Sequence, residues 1–104
     1  MNAVSDDVFT IERFEGRVGA IFHVIGDDVP PLELEVASVT GVSLHDPASD
    51  RSRIPFSVVF HGPLDPVLPQ RIYRLRDDEL GDLDIFIVPI GPEGEAMQYE
   101  AIFT

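Results

Sequence analysis

The sequence has no cysteine and no lysine. Without cysteine there is neither a disulfide framework nor a thiolate zinc site. Without lysine there is no Schiff-base nucleophile and no Walker-type phosphate loop. Positive charge is scarce as well: seven arginines stand against 19 acidic residues, a formal net charge of −12. That charge repels a phosphate backbone, so no nucleic-acid partner is expected. No stretch approaches the ~20 apolar residues of a membrane helix. The start of the chain carries neither a basic region nor an unbroken apolar run, unlike a signal peptide. A soluble, cytoplasmic protein with no membrane partner is the expectation.

What is present suffices for one core. The chain is 44% hydrophobic and holds seven phenylalanines in 104 residues, the size of one domain spanning 1–104. Residues 80–90, LGDLDIFIVPI, organise the rest. Leu83, Ile85 and Ile87 alternate with Phe86 and Val88, so this strand reads as apolar on both faces apart from Asp84. A doubly apolar strand belongs at the centre of a β domain, with Phe86 buried. Residues 5–15 offer N-caps at Ser5, Asp6, Asp7 and Thr10 and a stop at Gly16. One or two helical turns starting near Thr10 are expected to cover the outer face of that central strand.

Strands are expected over 17–25, 32–40, 56–61, 70–76, 82–90 and 97–103. In the second, Leu32, Leu34 and Val36 alternate with Glu33 and Glu35, one face in and one face out. Residues 41–55 form the longest loop, rich in Ser, Asp and Pro, and loops of that length are commonly functional or mobile. The three prolines of 62–69 favour a rigid, extended crossing to the fourth strand. For the fourth and fifth strands a register follows from charge and apolar matching. With 77–81 as the loop, Arg76 faces Asp82, Arg74 faces Asp84 and Ile72 faces Phe86, while Leu75 meets Leu83 and Tyr73 meets Ile85. A slip by one residue destroys every match. The expected fold is all-β: a six-stranded, mostly antiparallel meander closed into a small barrel or tight sandwich, with the short helical segment packed on it.

The stretches FSVVFHGP, LPQRIYRL, LGDLDIFIVPIG and YEAIF, in that order, resemble a family of short uncharacterised bacterial proteins. The shared positions are Phe56, Phe60, Gly62 and Pro63; Leu68, Pro69, Gln70, Tyr73 and Leu75; Leu80, Gly81, Phe86, Val88, Pro89 and Gly91; and Tyr99, Glu100, Ala101 and Phe103. The match covers about half the chain, from Phe56 to the end, with a fainter echo at Phe14, Gly19 and Phe22. The resemblance implies a domain with no assigned activity or catalytic residues, and an association with genes of phage-tail-like particles.

Candidate sites are few. His23, His45 and His61 invite a metal reading but lack the spacing of a local ligand pair, so no metal or cofactor is expected. No serine sits in a nucleophile elbow. The paired acids Asp27/Asp28 and Asp77/Asp78 fall in turns, where solvated carboxylates are the rule. An enzyme is therefore not expected. Charge is unevenly spread: residues 51–76 hold five arginines and one acid, Asp65, for +4, whereas the rest holds two arginines and 18 acids, for −16. Arg51 and Arg53, two apart in the long loop, can present guanidinium groups on one side and are the expected partner-binding residues. The leading functional expectation is a non-catalytic interaction or structural module with a protein partner, self-association included. A small-molecule-binding β-barrel is the alternative.

Overall fold

The computed structural model describes residues 9–41 and 55–103. Six strands close into one antiparallel barrel: β1 (Ile21–Ile25), β2 (Glu33–Gly41), β3 (Phe56–Gly62), β4 (Arg71–Asp77), β5 (Gly81–Glu93) and β6 (Ala96–Phe103). Around the barrel the order is β1-β2-β3-β6-β5-β4, with β4 returning to β1. The chain thus forms two three-stranded meanders, β1 to β3 and β4 to β6. They are joined by a connection that leaves β3 and crosses one end of the barrel to reach β4. Closure removes the exposed sheet edges that an open six-stranded sheet presents.

A barrel this narrow is filled by its own side chains, because alternate residues of every strand point inward. Phe22, Leu34, Val36, Val58, Phe60, Leu75, Ile85, Ile87 and Tyr99 are fully buried. The strands carry a bulge between Val36 and Ser38 of β2 and another between Pro89 and Gly91 of β5. The first lets Val36 and Val39 both pack toward the core while Ser38 stays outside. The β5–β6 hairpin turns at Gly94, whose φ of 61° is left-handed and suits glycine.

Each end of the barrel is plugged differently. The helix α1 (Ile11–Glu15) is capped by the Thr10 hydroxyl, which accepts from the Arg13 N–H, and buries Ile11 and Phe14. The Phe14 ring stacks on Phe103 at 5.3 Å and on Phe22 of β1 at 6.2 Å, and lies tilted 5.7 Å from Phe56, at the end where β3 starts and β6 finishes. At the other end the β3–β4 connection inserts Leu68, whose N–H donates to the buried Tyr99 hydroxyl at 2.9 Å. The Tyr73 hydroxyl donates to the carbonyl of Pro69 on the same connection. Gly62 ends β3 where this crossing starts, and a Cβ there would lie 2.7 Å from Leu34 Cδ2, so a larger residue would have to displace that buried side chain.

Three expectations are corrected. The helix α1 does not cover the outer face of β5 but closes the barrel end; Phe9 before it borders that face, and Phe86 stays 49% exposed. The core of β5 is Leu83, Ile85 and Ile87, the inward set alone. The first strand begins at Ile21 rather than at residue 17, because residues 16–19 form a turn that leaves Val18 53% exposed. The turn also frees Arg17 to reach Asp77, which is paired with Gly81 at the end of the β4–β5 hairpin. The loop of that hairpin is therefore residues 78–80, two shorter than expected, while the matched pairs stand as deduced from charge and apolarity.

Candidate functional site

The alternation that buries one face of a strand exposes the other, so the outward set of β4, β5 and β6 is fixed by their register. Ile72 of β4 pairs with Phe86 of β5. Ile102 of β6 pairs with Ser57 of β3 on its other side. Ile72, Phe86 and Ile102 are 61%, 49% and 63% exposed, and together with Phe9 and Phe103 they line one depression of about 320 Å³. Val59 and Val88 continue the apolar surface one row along as the partners of Glu100. Ile72 and Asp84 also border a second depression, about 390 Å³, which reaches Ile25, Val29 and Arg71. Ile72 and Asp84 belong to both linings, so the two depressions adjoin on this face.

Ion pairs frame it. Arg74 grips Asp84 through Nε at 2.9 Å and Nη2 at 3.2 Å, and Arg76 grips Asp82 likewise at 2.8 and 3.1 Å. These hydrogen bonds hold the Asp82 and Asp84 carboxyls below their ordinary range. Arg71 lies over the Tyr73 ring, 5.0 Å from its centroid, and reaches Asp28 at 3.4 Å. Burial is the largest influence on the Tyr73 phenol and pushes its pKa up.

Asp77 corrects the expectation that turn acids are solvated. Its side chain is fully buried, and its oxygens accept from Arg17 at 2.8 and 3.0 Å and from the N–H groups of Glu79 and Leu80 at 3.1 and 2.9 Å. Burial alone would raise its pKa, but the Arg17 guanidinium and the two backbone donors outweigh burial and hold it low. A carboxylate so fully engaged is a clamp between the turn after α1 and the β4–β5 hairpin, not a proton carrier near neutral pH.

His23 and His61 are placed apart, each near one acid: Glu33 at 3.8 Å and Glu93 at 3.5 Å. Among the described residues no three His, Asp or Glu side chains converge as a metal site, and no helix is long and apolar enough to cross a membrane. Arg51, Arg53 and His45 lie outside the described residues, as does most of the loop of 41–55.

The exposure of this trio was missed in the sequence, although a signal existed. The same register that pairs Ile72 with Phe86 puts Arg74–Asp84 and Arg76–Asp82 on that face, and two exposed ion pairs mark it as the solvent side. No match to the chain was found among curated proteins or among solved structures. The chain belongs to the family described as Domain of unknown function (DUF6916), whose model matches residues 9–103.

Proposed function

We propose that the chain is a non-catalytic protein-interaction module that meets its partner through the face of Ile72, Phe86 and Ile102. The observation that carries this reading is three large apolar side chains, each about half exposed or more, set side by side on the outside of the barrel. A contiguous apolar patch outside a filled core marks an interaction site more often than a chance surface. The interior is occupied by Phe22, Phe60, Leu75 and Tyr99, which favours docking on the outside over the alternative of a ligand-enclosing barrel. Arg51 and Arg53 are kept as a second contact, to carboxylates of such a partner. Their loop runs from Gly41 to β3, whose Ser57 neighbours Ile102. A phage-tail-like assembly, implied by the sequence resemblance, is one setting for such a module.

The test compares wild type with a Phe86→Ser/Ile102→Ser variant. Both are exposed, so the variant keeps its circular dichroism spectrum. A partner recovered from the source cells, identified and purified, binds wild type and loses binding to the variant. Equal binding to both, or a small molecule found tightly held by native mass spectrometry, overturns the reading.

A further inference from the structure

Glu100 borders this apolar surface, between Ile102 and Gln98 on the outer face of β6. On β6 it is flanked across the strands by Val59 and Val88, two residues before Ile102, and it is half-buried. No hydrogen bond or ion pair from a described residue reaches its carboxylate. Arg17, Arg71, Arg74 and Arg76 are each already held by an acid, so the barrel has none of these to spare for it. The acids that line the two depressions, Asp28 and Asp84, are thereby compensated, and Glu100 is not.

The occupant of the face must answer that charge. A wholly apolar surface laid over Glu100 strips water from an unpaired carboxylate, which opposes binding. A second copy of the chain brings another net charge of −12 and, in a two-fold contact here, another Glu100. A cation set among apolar side chains answers both demands, and arginine does so best, with a fork that matches a carboxylate. The long-range field of the protein also draws such a partner in. The two depressions that adjoin at Ile72 and Asp84, one reaching Phe9 and the other Ile25, suit an extended segment rather than a flat patch.

Resting on the interaction reading above, we propose that this face docks a basic, apolar segment of a partner protein. Its apolar side chains lie over Ile72, Phe86 and Ile102, and its arginine or lysine sits on Glu100.

A random peptide library displayed on phage and selected on the full chain, with counter-selection on the Phe86→Ser variant, reads out the chemistry directly. The expected winners combine arginine or lysine with aliphatic or aromatic residues. A synthetic winner loses about five- to tenfold in affinity on Glu100→Gln, the scale of one charge pair at an interface, and that loss shrinks with added salt. Winners that depend on Phe86 but are acidic or uncharged overturn this chemistry and leave the interaction reading standing, as does a winner indifferent to Glu100→Gln. A dimer in sedimentation analysis that Phe86→Ser dissolves makes a second copy the occupant and overturns it too. No Phe86-dependent peptide and no dimer removes both readings.

Discussion

Replacing Asp77 by asparagine keeps the shape of the side chain and removes its charge. The aspartate accepts four hydrogen bonds, three of them at Oδ2 from Arg17, Glu79 and Leu80 and one at Oδ1 from Arg17. The amide oxygen in the Oδ2 position keeps three of these. The new NH2 then faces the Arg17 Nη2 donor where Oδ1 stood at 2.8 Å, so a charge-assisted bond becomes a donor–donor contact. Breaking a fully buried pair costs about 3–5 kcal/mol. Arg17 is 21% exposed and keeps Glu79 at 3.0 Å, so part of its charge stays satisfied. The expected loss is about 2–3 kcal/mol, read from urea denaturation at neutral pH.

The same experiment across pH checks the cause. The Asp77 carboxyl is held lower in the folded protein than in the unfolded chain, where an aspartate titrates near ~3.9. Its contribution is complete above that unfolded value and is lost as the pH falls through the folded one. The gap between wild type and Asp77→Asn should therefore be constant from neutral pH down to about 5 and narrow in stronger acid. Asp82 and Asp84 titrate in both proteins and cancel from the difference. A loss under about 0.5 kcal/mol at neutral pH, the range of an ordinary surface change, refutes the clamp. A gap undiminished at about pH 2 refutes its electrostatic origin.

Two further substitutions separate the inside of the barrel from the outside. Phe14→Ala, which empties the plug between Phe22, Phe56 and Phe103, should cost about 3–5 kcal/mol in a reversible melt. Phe86→Ala should cost under about 1 kcal/mol because half the ring is already in water; equal losses at the two sites would show that the plug is not the core. Tyr99→Phe leaves the Leu68 N–H buried without its acceptor and should cost about 1–3 kcal/mol, measured by denaturant melt; a neutral result would mean that another acceptor takes its place.

The alternation of single residues was enough to find six strands, though not where β1 begins, and opposite charges at matched spacing were enough to set the β4–β5 register pair by pair. Thr10 as the helix start was legible too, because a hydroxyl before an apolar turn satisfies an otherwise orphaned N–H. These are local properties, carried by neighbours in the chain or by one hairpin. The face of Ile72, Phe86 and Ile102 was half legible: its hairpin partners were paired correctly, yet the apolarity of β5 on both sides suggested burial where there is exposure. An apolar side chain bears the same mark whether a helix of its own chain covers it or a partner must, and only tertiary packing tells the two apart. The order β1-β2-β3-β6-β5-β4, the helix turned into the barrel end, and Asp77 meeting Arg17 sixty residues away were likewise decided in three dimensions. Each depends on which distant groups closure brings together, and spacing along the chain carries no record of that.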